Sequence, residues 1–330
     1  MRALALIGAM TATTLAMINP PLHAQTAAAV RASRPDAQRL DYDLRARRVA
    51  ADTWVIEGAV EDFSRNNGCN IINTAFIATG AGVVVINTGP SRRYGVQQRR
   101  LIEQTTSKPV TQVVNLNLHP DYFFGNQAWL DTAPRALPGS MAGMQAEGEA
   151  YANNLYRLCG DWMQGTDPTP AQQVLAPGLR ALGRHRLEWL QLAGHTADDL
   201  VLIDHSTGVA FVGGLVFADR VPTTPHADFA RWLDSLDQLE ALHRAGYFRW
   251  VVPSHGPVHE GLRGIAQTRD WIRWLTRHMR EQAAAGRDLG EVLSLPVPAR
   301  FASWAAQPAE LKRTLAQWYP MHESQALEAR

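Results

Sequence analysis

The segment from residue 113 to residue 126, with the sequence VVNLNLHPDYFFGN, constrains the fold more than any other part of the chain. An apolar strand ends in this segment, and a loop with polar side chains begins. Because alternate side chains of a strand point to the same face, we expect Asn115, Asn117 and His119 to share one face. This pattern predicts a metal site or an acid–base site at the end of a buried strand.

Two later loops each carry a single histidine that could meet this segment. His195 lies in the sequence GHTADDL, and His255 lies in the sequence PSHGP. With the first segment, these loops resemble the ligand series of the metallo-β-lactamase superfamily. That series is H-x-H-x-D-H followed by G-N, then G-H-T, then a G-D pair after an apolar strand, and finally G-H-G. The residues of this chain that match it are His119, Asp121, Gly125, Asn126, His195 and His255.

Four positions depart from this series. Asn117 stands at the first histidine, Tyr122 at the third histidine, and Gly214 at the bridging aspartate. Asn87, in VVVINTG, replaces the aspartate of the usual D-T-G. The resemblance implies two metal ions about 3.5 to 4 Å apart. A full binuclear centre is not expected from so few donors.

We therefore expect at most one zinc ion, since three nitrogen ligands and one oxygen ligand suit zinc. Its expected ligands are His119, Asp121, His195 and His255, with Asn117 as a weak neutral donor. In the alternative, the metal is lost and the same polar residues bind each other, water or a small ligand. The sequence leaves both alternatives open.

The first segment also supplies the candidates for catalysis. Asp121 is expected to orient the attacking water in the hydrolytic chemistry that the resemblance implies. Tyr122 could donate a hydrogen bond to a developing oxyanion or bind iron, but the adjacent Phe123 and Phe124 favour the wall of a hydrophobic pocket. His226 could enter the cleft as a replacement ligand, although a solvated position in the first turn of a helix is favoured.

The expected fold class is α/β. Strands in two groups, each interspersed with helices, indicate two sheets with helices outside. The resemblance implies a four-layer αβ/βα sandwich, the metallo-β-lactamase fold, with a C-terminal helical extension. The expected boundaries are 1–24 for a signal peptide, 25–48 for a linker, 49–285 for the metallo-β-lactamase-like domain and 286–330 for the extension packed on it.

The N-terminus is typical of a secretory signal peptide. Arg2 provides a minimal positive charge, an apolar stretch runs to Ile18, and the sequence LHA before residue 25 is similar to a cleavage site. We therefore expect a periplasmic protein with no membrane span after cleavage, since no later run is long and apolar enough. The formal net charge of +1 gives no indication of a nucleic-acid partner.

Two further features flank the expected cleft. In an oxidising compartment, Cys69 and Cys159 could form a disulfide or remain two buried thiols, and the sequence does not decide between them. The polar loop at residues 61–68 is a candidate substrate flap, because such a loop overhangs the cleft in the superfamily. The alternative is a plain solvated connection between strands.

A finer resemblance concerns one branch of the superfamily. The runs EDFSRNNGCNIINTAFIATGAGVVVINTGPSRRYG and HPDYFFGNQAW look like the periplasmic quinoprotein relay system zinc metallohydrolases. This resemblance implies a link to pyrroloquinoline-quinone (PQQ)-dependent periplasmic dehydrogenases, with no defined substrate. One hypothesis is a periplasmic hydrolase with one zinc ion that acts on a small ester, thioester, lactone or amide, with a quinoprotein dehydrogenase or a cytochrome as a possible partner. The alternative is a catalytically degenerate accessory or ligand-binding protein of such an electron-transfer system. A true β-lactamase is the least expected, because the ligand set is depleted.

Overall fold

The computed structural model describes residues 33–328, which lie within one compact unit spanning residues 31–330. The expected signal peptide and the first residues of the expected linker lie outside the described residues. In the described part of that linker, Tyr42 is fully buried and packs against Tyr94 and Trp162. The end of this segment is therefore part of the packed structure.

Two sheets form the centre of the fold. Among the described residues, the first sheet has seven strands that neighbour one another in chain order: β1 (Ala46–Ala50), β2 (Thr53–Ile56), β3 (Thr74–Ala78), β4 (Val83–Ile86), β5 (Val110–Val114), β6 (Arg135–Ala136) and β7 (Gln173–Val174). The second has six: β8 (Gly178–Leu182), β9 (His185–Leu192), β10 (Asp199–Asp204), β11 (Val209–Phe217), β12 (Trp250–His255) and β13 (His259–Glu260). The spatial order of the second sheet is β13-β12-β11-β10-β9-β8.

Helices connect and cover these strands. The α-helices are α1 (Arg92–Thr105), α2 (Pro120–Phe123), α3 (Pro138–Cys159), α4 (Phe229–Arg244), α5 (Arg263–Ala284), α6 (Leu289–Leu293), α7 (Ala299–Ala302) and α8 (Ala309–Glu328). Short 3-10 helices span Phe124–Thr132 and Gly160–Met163. No helix within residues 33–328 is both long enough and apolar enough to cross a bilayer.

The layers follow from the alternation of side chains along the buried strands. On β4, Val84 and Ile86 pack into the core between the two sheets. Val83 and Val85 point to the opposite face, where they pack with Ile102 of α1. A strand that is covered on both faces has a continuous apolar sequence, and β10 in the second sheet shows the same alternation against α4 and α5. The expected four-layer α/β sandwich is confirmed.

The C-terminal helices pack on the outer face of the second sheet and its helices. Val292, Phe301, Leu311 and Leu315 are buried in the same core as the apolar side chains of α4 and α5. Each such side chain contributes about 1.5 to 3 kcal/mol by leaving water. The expected C-terminal helical extension is confirmed, and it shares its core with the sandwich.

The strand directions bring three loops to one edge of the second sheet. Strand β9 is antiparallel to β10, β10 is antiparallel to β11, and β11 is parallel to β12. The carboxyl ends of β9, β11 and β12 therefore lie at the same edge. The loop after β9 carries His195, and β12 ends at His255.

Candidate functional site

A cavity of about 380 Å³ opens where these loops meet the loop that follows β5. His119 and Asp121 enter from the loop after β5, and His255 enters from the end of β12. The ring centroids of His119 and His195 are 4.7 Å apart, and the imidazole of His255 faces Asp121. The three histidine loops therefore meet, as the sequence predicts.

His255 and Asp121 form a pair in the wall of this cavity. Nδ1 of His255 lies 2.8 Å from the carbonyl oxygen of Ile71. Since a carbonyl oxygen only accepts, Nδ1 carries the proton and the Nε2 lone pair is free. Nε2 lies 3.5 Å from Oδ2 of Asp121, a buried oxygen that has no hydrogen-bond partner among the described residues. A proton, a polar ligand or a cation placed between these two atoms would satisfy both.

Burial dominates the acid–base properties of this pair. It raises the pKa of Asp121 to about 7, against smaller opposing effects of a backbone hydrogen bond and of Arg220. It lowers the pKa of His255 well below the usual histidine value, and Arg220 acts in the same direction. Near pH 7, His255 is therefore neutral while Asp121 is changing its charge.

Asn117 fixes the tautomer of His195. Its amide nitrogen lies 2.8 Å from Oδ1 of Asp199 and 3.1 Å from Nδ1 of His195, while its oxygen accepts the backbone N–H of His119. In the opposite orientation, the amide oxygen would face the carboxylate of Asp199 and the amide nitrogen would face the backbone N–H of His119. An acceptor would then oppose an acceptor, and a donor would oppose a donor. Nδ1 of His195 therefore accepts, so Nε2 carries the proton and faces the hydroxyl of Thr223 at 3.3 Å. Neither ring nitrogen of His195 offers a free lone pair to a metal ion.

Gly214, at the position of the bridging aspartate, leaves space that His195 fills. The backbone of Gly214 on β11 lies directly against the imidazole ring. The ring is also enclosed by Phe217 and Trp232, with centroids 5.5 and 5.2 Å away. The ring of the neighbouring histidine therefore packs in the place of the missing carboxylate.

His119 is joined to two residues that the ligand series did not contain. Its Nε2 lies 2.9 Å from Nδ1 of His226, and Nε2 of His226 lies 2.8 Å from a carboxylate oxygen of Glu147 on α3. Burial and the neighbouring histidines lower the pKa of His119 well below its usual value. His226 lies in the loop before α4, so the favoured interpretation of a solvated residue in the first turn of a helix was wrong. The signal for it in the sequence was its position after the strand that carries Gly214.

Tyr122 lies in the core between the sheets instead of lining the cavity. It is fully buried among apolar side chains that include Leu116 and Leu137. Its hydroxyl has no hydrogen-bond partner within residues 33–328, and burial raises its pKa well above the usual tyrosine value. Its assignment as a catalytic residue is corrected accordingly, since the short helix α2 turns the ring inward.

The remaining motif residues hold the loops in place. A side chain on Gly125 would place its Cβ 1.9 Å from the carbonyl oxygen of Thr88, so only glycine allows this contact. Asn126 accepts from the amide of Asn115 at 3.0 Å. Asn87, in a left-handed conformation, accepts from the backbone N–H of Leu116 at 3.0 Å. Strand β5 ends at Val114, so Asn115 supports the loop and does not share a face with Asn117 and His119.

The donor set does not fit a zinc centre with three or four protein ligands. Within residues 33–328, no group of three or more His, Cys, Asp or Glu side chains is placed to hold one ion. Of the expected ligands, all of which the structure describes, only Asp121 and His255 are suitably arranged: their facing atoms are 3.5 Å apart, and two ligands of a tetrahedral ion at about 2.0 Å lie about 3.3 Å apart. The expected ligands therefore do not converge on one metal ion. These ligands were His119, Asp121, His195, His255 and Asn117.

The polar loop at residues 61–68 forms a fixed wall of the cavity. Asp62 and Phe63 line the cavity. The loop is followed by Cys69, which forms a disulfide with Cys159 at the end of α3, with a Cα–Cα distance of 5.9 Å. The indole N–H of Trp162 donates to the carbonyl oxygen of Arg65. The loop overhangs the cleft, as expected of a flap, but it is anchored at several points.

Helix α8 forms the opposite wall. Its polar side chains facing the cavity include Glu310 and Arg313, and the hydroxyl of Thr314 lies 2.8 Å from the hydroxyl of Thr224. Arg313 also forms an ion pair with Asp62 across the opening, at 2.6 Å. The C-terminal extension therefore helps to shape the site, a role that the sequence did not indicate.

The chain is similar to proteins of known structure and to one family. It matches the metallo-beta-lactamase from Pontibacter korlensis at 21% identity, with a TM-score of 0.55, over 70% of this chain and 99% of that one. It also matches FIM-1 from Pseudomonas aeruginosa, solved in its mono-zinc form, at 20% identity, with a TM-score of 0.53, over 70% of this chain and 95% of that one. No curated protein matches the chain. Residues 67–255 match the metallo-beta-lactamase superfamily, and the chain belongs to that superfamily.

Proposed function

We propose that this protein is a small-molecule hydrolase of the superfamily that uses Asp121 and His255 as an acid–base pair and holds at most one zinc ion. The observation that carries the proposal is the free Nε2 of His255, 3.5 Å from an unpartnered carboxylate oxygen of Asp121. Both groups line a cavity of about 380 Å³, a size that suits a small molecule. The substrate class is an ester, thioester, lactone or amide.

The two residues perform complementary proton transfers. Neutral His255 accepts a proton at Nε2 from a water molecule as the water oxygen attacks the substrate carbonyl. Asp121, in its protonated form, donates its proton to the leaving oxygen, sulfur or nitrogen as the bond to the carbonyl carbon breaks. The proton that His255 took from water then moves to Asp121, across the 3.5 Å between Nε2 and Oδ2. Each residue thus regains its starting form, and no step depends on a metal ion.

A zinc ion, at most one, would bind to Asp121 and His255. This limit follows from the two donors that are arranged for it and from the hydrogen bonds that occupy Asn117 and His195. The ion would occupy the Nε2 lone pair of His255 and the carboxylate of Asp121, so the proton transfers described above belong to the metal-free form. Catalytic zinc sites usually have three protein ligands, so we expect weak binding.

We also propose a cellular setting for this activity. The N-terminal sequence supports export to the periplasm, and the motif runs described above support a partner among PQQ-dependent dehydrogenases or their cytochromes. A second candidate function is an accessory ligand-binding protein of the same system. The hydrogen bonds at both ring nitrogens of His195 favour that candidate, because they remove a ligand that hydrolytic relatives would use.

A hydrolysis assay with matched histidine variants tests the proposal. The mature protein is tested with chromogenic esters, thioesters, lactones and amides, before and after treatment with a chelator. We expect turnover in both forms, and a loss of kcat/KM of about 100-fold or more in His255→Gln and Asp121→Asn. The control is His205→Gln, since His205 pairs with Glu188 away from the cavity. Absence of turnover in the folded protein, or full activity in His255→Gln, would overturn the proposal in favour of ligand binding.

A further inference from the structure

Arg313, on α8, joins two walls of the cavity. Its guanidinium lies 2.6 Å from a carboxylate oxygen of Asp62, in the polar loop of the opposite wall, and it also forms an ion pair with Glu310, one turn earlier on α8. The side chains of Asp62 and Arg313 are 35% and 52% exposed, whereas Glu310 is buried. The bridge between Arg313 and Asp62 therefore lies at the mouth of the cavity, where it meets the solvent.

The two walls that this bridge connects are held in place by other contacts. On α8, the hydroxyl of Thr314 lies 2.8 Å from that of Thr224, and the amide of Gln317 donates to the carbonyl oxygen of Pro225 at 2.8 Å. The polar loop is held by the disulfide that follows it and by the indole of Trp162. A ligand cannot widen the cavity by moving either wall without breaking these contacts.

A long ligand therefore meets the bridge. Asp121 and His255 are each 3% exposed, so they lie deeper in the cavity than the bridge does. A ligand that reaches this pair and is longer than the cavity extends outward through the mouth. Parting an exposed ion pair costs a small amount of free energy. The bridge thus disfavours long ligands relative to compact ones.

The charges around the bridge balance one another without a ligand. Asp62 and Glu310 carry two negative charges, Arg220 and Arg313 carry two positive charges, and all four residues line the cavity. The charges of Glu310 and Asp62 also act on the buried guanidinium of Arg220. No charged group on the ligand is needed to hold the bridge together, so uncharged molecules can test the effect of length alone.

Both members of the bridge lie outside residues 67–255, the part of the chain that matches the superfamily. We propose that Arg313, through its bridge to Asp62, is a specificity-determining residue that restricts the cavity to compact molecules. In the proposed hydrolase, the substrates are then esters, thioesters, lactones or amides with short acyl groups, and this assignment rests on the proposed function. The size limit concerns binding and does not rest on it.

Binding of two uncharged ketones to the mature protein tests the size limit separately from turnover. The compact probe is 4-fluoroacetophenone, and the long probe is its heptanoyl homologue, 1-(4-fluorophenyl)heptan-1-one. Neither ketone can be hydrolysed, and both are observed by fluorine NMR. Arg313→Ala should raise the affinity of the long probe relative to the compact probe by about three- to fivefold. An unchanged or lower ratio would overturn the inference.

Lys312→Ala is the matched control. Lys312 is the exposed neighbour of Arg313 on α8 and is not among the residues that line the cavity. This substitution removes the same charge from the same helix, and the affinity ratio should change by less than about 1.5-fold. An equal rise in both variants would show that the charge of α8, and not the bridge, sets the ratio.

Asp62→Ala tests the other member of the bridge. The affinity ratio should rise by about the same factor as in Arg313→Ala. The double variant Asp62→Ala/Arg313→Ala should show no further rise, because either single substitution already removes the bridge. Additive effects of the two substitutions would contradict a shared bridge.

Salt provides a measurement on the unaltered protein. Raising sodium chloride from about 0.05 M to about 0.5 M screens an exposed ion pair. The affinity ratio should therefore rise more in the wild type than in Arg313→Ala, and an equal salt effect in both would count against the bridge.

Ester hydrolysis separates the size limit from the proposed function. If the two ketones behave as expected but neither 4-nitrophenyl acetate nor 4-nitrophenyl octanoate is hydrolysed, the proposed function alone is overturned. If both esters are hydrolysed and their ratio of kcat/KM does not respond to Arg313→Ala, the size limit is overturned and the proposed function stands.

Discussion

A Cβ atom added to Gly214 would lie 1.9 Å from Nδ1 of His195. The ligand series has its bridging aspartate at residue 214. A side chain at this residue and the imidazole of His195 therefore compete for the same space. The loss of the aspartate and the inward position of His195 are two parts of the same change. Restoring the aspartate alone would displace the imidazole before it could add a metal ligand.

Substitution at Gly214 tests this relationship. Gly214→Asp should lower the free energy of unfolding by about 3 kcal/mol or more, because it overpacks the site and buries a carboxylate. Zinc content should not rise. The measurements are urea denaturation and elemental analysis, with Gly290→Ala in α6 as a control that meets only Asp288. Unchanged stability together with increased zinc would show that the space is available.

The amide of Asn117 should be important for stability. Asn117→Ala removes the donor to Asp199 and to Nδ1 of His195, both of which are buried. We expect a loss of about 1 to 3 kcal/mol in the free energy of unfolding. The matched control is Asn154→Ala on the exposed face of α3, which should change stability by less than about 0.5 kcal/mol. Equal effects of the two substitutions in urea denaturation would contradict the role assigned to Asn117.

Asp121 makes the stability of the protein depend on pH. Its pKa is about 7 in the folded protein and 3.8 for an ordinary aspartate, so the folded state binds the extra proton between these values. Stability should therefore fall as the pH rises from about 4 to about 7 through this group. Asp121→Asn, which stays neutral, should become progressively more stable than the wild type over that range. Denaturation at pH 5 and pH 8 measures the difference, and a pH-independent difference would refute it.

The disulfide should stabilise both the fold and the cavity wall. Cys69 and Cys159 are 90 residues apart in the sequence, and a bridge over such a distance stabilises by about 2 to 4 kcal/mol through the unfolded state. The double variant Cys69→Ser/Cys159→Ser should lose about that amount in urea denaturation under oxidising conditions. Adding a reductant should lower the stability of the wild type and leave the double variant unchanged. A wild type that is insensitive to the reductant would contradict this role.

Much of the fold was predictable because its signals are local. The continuous apolar runs of β4 and β10 indicate strands covered on both faces, and the structure places them in the two central sheets. The helical periodicity of residues 262–279 lies almost entirely within α5. Spacing and motif order were also sufficient to predict that the loops with His119, His195 and His255 meet.

The chemistry of the site was less predictable because it depends on contacts between distant segments. The bond between His119 and His226 joins residues 107 positions apart, and Arg220 is held by Glu61 across 159 positions. The tautomer of His195 depends on the orientation of the Asn117 amide, which only the three-dimensional hydrogen-bond network fixes. The candidate role of Tyr122 in catalysis could not be judged from the sequence, because a one-turn helix decides whether its ring faces the cavity or the core.

Zinc stoichiometry tests the central claim, that this site has too few free donors for a pair of metal ions. The mature protein is purified, equilibrated with excess zinc, dialysed, and measured by elemental mass spectrometry against protein concentration. We predict at most one zinc ion per chain in the wild type. The His255→Gln variant should bind less zinc than the wild type. Two tightly bound zinc ions per chain would contradict the account.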